Sequence, residues 1–119
     1  MIDEALKNSF EYKSKLCDDI FAIDGMSGKM TRCFYNNLCS MDNACYLEIG
    51  AYKGSTFCSA MYNNPHGSYL AIDNFSEFGG RQEFMDNLEK YKCGKVEFLE
   101  CDCSSIDLST ISEKSNIFV

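Results

Sequence analysis

A chain of 119 residues, 45% of them hydrophobic, carries enough apolar surface for one core and too little for two. Its 18 acidic and 11 basic residues leave a formal net charge of −7, and the lysines and arginines are scattered, so the basic stripe of a nucleic-acid or anionic-membrane binder is missing. No apolar run approaches the ~20 residues that span a bilayer, and the opening stretch is acidic rather than basic then apolar. The expectation is a cytoplasmic protein with no membrane and no nucleic-acid partner.

Residues 3–22 place Leu6, Phe10, Leu16, Cys17, Ile20 and Phe21 at roughly helical spacing between charges, which predicts one amphipathic helix. A second helix is expected from about Ser27 to Cys39, with Met30, Phe34 and Leu38 on its inner face and Ser27 as N-cap. Two helices therefore precede any strand.

The period then changes. The runs CYLEIG (45–50), SYLAID (68–73) and KVEFLE (95–100) are short, rich in strand-forming residues and closed by an acidic residue or glycine. Between the first two, Phe57, Ala60 and Met61 share a helical face; between the second and third, Phe84, Leu88 and Tyr91 do the same. This alternation predicts βαβ units, a parallel sheet and an α/β fold. The closing NIFV begins a fourth strand with nothing after it, as expected of a piece of a longer protein with about four strands and exposed sheet edges through which copies could associate.

Eight cysteines without an export signal are expected as free thiols in a reducing compartment. Cys101 and Cys103 form the one close pair and Cys93 lies before them, so a three-thiolate site is conceivable, but small core cysteines are the commoner use and no metal is expected. The single histidine, His66, falls in the turn NNPHGS beside Pro65, at the end of the sheet away from the ligand side, and is read as structural or solvent-exposed.

The informative turn is EIGAYKGST, which follows the first strand. In open parallel sheets ligands sit beyond the carboxyl ends of the strands, closest to that turn. Gly50 can supply the positive-φ exit from the strand, and Gly54 either a close backbone approach to a ligand or close packing of helix on strand. A dinucleotide fingerprint needs glycine where Tyr52 and Phe57 stand, and a P-loop needs its lysine after the second glycine, whereas Lys53 precedes Gly54. Acidic residues recur at the three strand ends, as Glu48, Asp73 and Asp102. Asp73 follows Gly54 at the ~20-residue spacing that suits a carboxylate accepting from a ribose diol.

Together YLEIGAYKGST, YLAIDNF and VEFLECDC resemble, in order and spacing, the first three motifs of class I S-adenosylmethionine-dependent methyltransferases, in the form of the macrocin O-methyltransferase-like branch. The resemblance implies a Rossmann-like three-layer sandwich, with residues 1–43 as a helical cap and 44–119 as an incomplete cofactor-binding half. It implies that Glu48 orients the glycine turn and the methionine amino group, and that Gly50, Ala51 and Gly54 lend backbone to the methionine part. By the same likeness Asp73, with Asn74 beside it, holds the ribose hydroxyls, Asp102 accepts from the adenine amine, and Cys103 offers its main-chain amide.

The reaction implied is methyl transfer from S-adenosylmethionine, with S-adenosylhomocysteine as product, to a small-molecule or sugar hydroxyl. No catalytic base can be assigned, so the piece alone is not expected to turn over. The alternatives are a noncatalytic binding or assembly module of the same fold, and a nucleotide-sugar or NAD-binding protein that uses the same carboxylate on ribose.

Overall fold

Successive side chains of a strand point to opposite faces, so short apolar runs can bury both faces of a sheet, and the three runs fold as strands. The computed structural model describes residues 2–107, 109, 111 and 115–119. Strands β1 (Cys45–Ile49), β2 (Ser68–Ile72) and β3 (Lys95–Leu99) are parallel, with Cys45 opposite Ser68 and Ser68 opposite Lys95. A short β4 (Ile117–Phe118) pairs parallel with the other edge of β1, Tyr46 lying opposite Ile117. The order β3-β2-β1-β4 is that of a Rossmann-like sheet.

Three helices precede β1: α1 (Ile2–Phe10), α2 (Asp18–Phe21) and α3 (Lys29–Leu38). Two more form crossovers, α4 (Ser55–Met61) between β1 and β2, and α5 (Arg81–Tyr91) between β2 and β3. Tyr46, Tyr69, Ala71, Val96 and Phe98 turn to the face on which α4 and α5 pack, where they meet Phe57, Cys58, Ala60, Met61 and Phe84. Phe84 is the hub: its ring lies 4.7 Å from Phe98, 5.7 Å from Phe75 and 6.1 Å from Phe57 between centroids. Burying each such ring stabilises the fold by roughly 1.5–3 kcal/mol.

The N-terminal part differs locally from the expectation. The single helix over 3–22 is split, because Tyr12 takes φ +55° and the amides of Tyr12 and Lys13 turn back to the carbonyls of Ser9 and Asn8. Past the break, the amide of Lys15 donates to Asn36 Oδ1 and that of Leu16 to Ser14 Oγ, neither of them a helical acceptor. On α1 it is Ala5 and Ser9 that bury, while Leu6 and Phe10 stand 40% and 59% exposed.

Helix α3 begins after Gly28, and Ser27 does not cap it. The Ser27 hydroxyl is instead 2.6 Å from Thr56 Oγ1 and accepts from Arg32 Nε. The buried face of α3 is Arg32, Cys33 and Asn36, with Met30, Phe34 and Leu38 half-buried beside it. Polar groups bury there because they are fully partnered. Asn36 Nδ2 donates to the carbonyls of Ser59 and Tyr62 at 2.9 Å, and Asn64 Nδ2 donates to those of Asn36 and Ala60 at 3.0 Å.

All eight cysteines are free thiols. His66 is exposed in the turn before β2, its Nε2 3.1 Å from the Cys39 carbonyl. No helix among the described residues is long and apolar enough to cross a membrane.

Candidate functional site

The turns after β1, β2 and β3 converge at the carboxyl end of the sheet. Gly50 leaves β1 with φ +84°, its amide bonded to the Ile72 carbonyl at 2.8 Å. A Cβ on Gly50 would meet nothing within 4 Å, so bare backbone faces open space there. Gly54 serves the other purpose: a Cβ on it would stand 3.2 Å from the Phe84 ring, and its φ of +87° starts α4. The close neighbour of Gly54 is thus the Phe84 ring on α5, a packing of turn against helix and not the packing of helix on strand expected of it.

Asp73 binds two turns together. Its Oδ2 accepts from the Tyr52 amide at 2.9 Å and its Oδ1 from the Phe75 amide at 2.8 Å. Both donors sit in left-handed backbone, at φ +51° and +59°, a conformation that costs non-glycine residues roughly 1–3 kcal/mol and persists where surrounding bonds impose it. One carboxylate thus holds the β1–α4 and β2–α5 turns in their shapes.

The neighbouring polar side chains are arranged by their own turns. Asn74 Oδ1 accepts from the Ser76 amide at 3.1 Å and hydroxyl at 2.8 Å. Asp102 Oδ1 accepts from the Ser104 amide and hydroxyl, each at 2.9 Å, and these bonds, the amide's first, hold its carboxyl below the usual range. Cys103 opens the short 3-10 turn that follows, so Cys101 and Cys103 lie beyond β3 and not within a strand.

Glu48 lies beneath the turns, 3% exposed, and accepts from Tyr46 Oη at 2.5 Å. Burial pushes its carboxyl up to about 8; the Tyr46 hydrogen bond pulls the other way and the charge of Asp73 adds to the rise. The thiols of Cys39 and Cys58 are pushed up to about 12, by burial first and by the Glu48 charge second, so both are inert core groups.

A cleft of about 260 Å³ opens over these turns. Five of the residues read from the sequence line it: Gly50, Asp73, Asn74, Asp102 and Cys103. Glu48, Ala51 and Gly54 are buried behind it. The sequence reading passed over Ser76 and Glu77 and weighed Cys101 only as a thiolate ligand; the three complete the lining with Ile49 and Ile72. Glu77 carried a usable signal, as an acidic residue in the turn directly after Asp73 and Asn74. Among the described residues no three His, Cys, Asp or Glu side chains gather as a metal site; Cys93 packs against the core while Cys101 and Cys103 face the cleft. A larger cleft of about 540 Å³ lies between α1 and the turn after α3, remote from the carboxyl ends of the strands.

Over 93 residues the sequence is 31% identical to a tRNA (guanine-N(7)-)-methyltransferase of Lachnoclostridium phytofermentans, a match that covers 77% of this chain and 40% of that protein. This chain is similar to a methyltransferase. It spans about 40% of the length of the curated relative it matches. No family model matches. The likeness joins the Rossmann-like sheet and the glycine turn in supporting the methyltransferase reading, and does not extend to the macrocin O-methyltransferase-like branch.

Proposed function

We propose that this chain is the S-adenosylmethionine-binding part of a methyltransferase. The observation that carries the reading is the cleft itself, where Asp73, Glu77 and Asp102 converge with the bare backbone of Gly50 and, among the described residues, no lysine or arginine lines the wall. Such a lining complements a cation that is rich in hydrogen-bond donors, and S-adenosylmethionine offers a sulfonium, an ammonium, a ribose diol and an adenine amine. When bound, the cofactor supplies an electrophilic methyl group.

The chain's own residues divide the binding. An ionised carboxylate has about four acceptor sites, so Asp73, with two taken by Tyr52 and Phe75, keeps capacity for ribose hydroxyls. Asp102 commits Oδ1 to Ser104 and keeps Oδ2 for the adenine amine. Asn74 commits its Oδ1 to Ser76 and keeps its amide donors. Gly50 and Ala51 contribute main chain to the methionine end, Cys103 its amide to the ring, and Glu48 and Gly54 support the turn from behind. The acceptor we infer is a small molecule or sugar hydroxyl, since an acidic mouth repels a phosphodiester backbone. The similarity to a tRNA (guanine-N(7)-)-methyltransferase favours a second reading, an RNA base.

Calorimetric titration of the 119-residue chain with S-adenosylhomocysteine tests the cofactor reading. One-site binding is expected, weakened ten- to hundredfold in Asp73→Ala, because hydrogen bonds to charged groups are worth about 1.5–3 kcal/mol. Circular dichroism must show the variant folded. Unchanged affinity in a folded Asp73→Ala, or displacement by NAD and not by S-adenosylhomocysteine, would reject the reading. Binding of a tRNA transcript that survives physiological salt would favour the RNA acceptor.

A further inference from the structure

Next to the cofactor cleft the structure builds a second recess whose apolar wall the proposed binding does not use. It measures about 180 Å³ and shares Gly50, Asp73, Asn74, Ser76 and Glu77 with that cleft. Its remaining wall is apolar and comes from three separate parts of the chain. Met26 stands before α3, Tyr52 lies in the glycine turn, and Phe78 lies in the turn before α5. Met26 is 69% exposed and Phe78 64%. Tyr52 and Phe78 meet edge to face, centroids 6.3 Å apart at 77°.

Single exposed apolar residues are ordinary, but a methionine and two rings on one wall of a cleft are the composition of an aromatic-binding surface. Volume limits the occupant: an apolar cavity of ~150 Å³ takes one benzene ring, so this recess fits one six-membered ring and not a nucleoside. Charge limits it further. Asp73 and Glu77 stand on its polar side, while Lys53, whose ammonium is 5.3 Å from the Tyr52 centroid, is paired with Asp24 at 2.9 Å.

We infer that Met26, Tyr52 and Phe78 form a subsite for a single aromatic ring bearing a cationic or hydrogen-bond-donating substituent, and that this ring is the methyl acceptor's. The acceptor assignment rests on the methyltransferase reading; the ring subsite itself does not. It narrows the acceptor from any small-molecule hydroxyl to an aromatic one, and it gives Met26 a role in specificity.

Two probes of similar size and opposite charge test this: tyramine and 4-hydroxyphenylacetate. The readout is the NMR spectrum of the full 119-residue chain labelled with 13C at the methionine methyls, the Met26 signal being assigned by its loss in Met26→Leu. Tyramine is expected to shift the Met26 methyl saturably through its ring current, leaving the buried Met61 methyl in place. The anionic probe should bind at least fivefold more weakly. Phe78→Ala should weaken tyramine at least fivefold while S-adenosylhomocysteine affinity stays within twofold.

A Met26 methyl unmoved by tyramine, or tyramine binding indifferent to Phe78→Ala, would overturn the subsite. Loss of S-adenosylhomocysteine binding in a folded Phe78→Ala would overturn it too, by giving the wall to the cofactor. Tyramine binding as expected in a chain that binds no S-adenosylhomocysteine would leave the ring subsite standing and overturn the acceptor assignment together with the cofactor reading.

Discussion

The two sides of α4 are held by opposite means. Toward the sheet and α5, Phe57 lies 6.1 Å from both Tyr46 and Phe84, and nearly every group that buries is a ring or an alkyl chain. Toward α3 the contacts are amides and hydroxyls, with Asn36, Asn64 and Arg32 all buried and bonded to main-chain carbonyls. Apolar contacts are non-directional and tolerate small slides. Hydrogen bonds between fixed partners do not, so the polar side sets the position of α3, and with it the segment carrying Asp24 and Met26, relative to the glycine turn.

The largest effect is expected on the aromatic side. Phe84 is fully buried and contacts three other rings, so Phe84→Ala should cost about 3–5 kcal/mol, read from the urea midpoint. It also removes the ring against which Gly54 packs, so the glycine turn should loosen and any S-adenosylhomocysteine affinity fall with it. A cost below about 1 kcal/mol would mean that the aromatic cluster is not what holds the sheet face.

Glu48 is the polar exception within the apolar side, and it makes stability depend on pH. Its folded carboxyl titrates at about 8 against an ordinary 4.5. Below the lower value both states are protonated and nothing is lost. Between the two, the unfolded chain releases the proton while the folded chain retains it, so stability falls as pH rises, by up to about 1.4 kcal/mol per pH unit, and levels off above the upper value. Glu48→Gln keeps an acceptor for Tyr46 without titrating, so urea midpoints from pH 5 to 8.5 should fall less steeply in the variant. A wild-type slope no steeper than that of the variant would show Glu48 already ionised in the folded protein.

The same contrast explains what could be read from the sequence. Strand ends fell within a residue of their expected places because β1, β2 and β3 are short runs of strand-forming residues closed by Gly50, Asp73 and Glu100. Five cleft residues were legible because strand ends in such a sheet share one edge. The first helix was misjudged, since the apolar spacing of Leu6, Phe10 and Leu16 carries no trace of the turn at Tyr12 or of Asn36 reaching across to Lys15. The inner face of α3 was misplaced for a related reason: reading by apolar period assigns Asn36 and Arg32 to solvent, and their burial depends on carbonyls supplied from α4, Tyr62 and the Ile20–Ser27 segment. Met26 and Phe78 have no sequence signal at all, because exposure is what makes them notable.

The polar side gives the smaller and more discriminating prediction. Asn36→Ala removes the acceptor of the Lys15 amide and the donor to the Ser59 and Tyr62 carbonyls. The Ser59 bond is fully buried and the other two lie partly at the surface, so water can replace some of the loss and the cost should be about 2–3 kcal/mol, less than for Phe84→Ala. Asn36→Leu restores the volume without the bonds. If the α3–α4 contact depends on hydrogen bonds, leucine rescues nothing, and hydrogen exchange should show amides of α3 opening while those of β1 and β2 keep their protection. If leucine recovers most of the stability, the interface is an apolar one that happens to accommodate an amide, and the contrast between the two sides of α4 disappears.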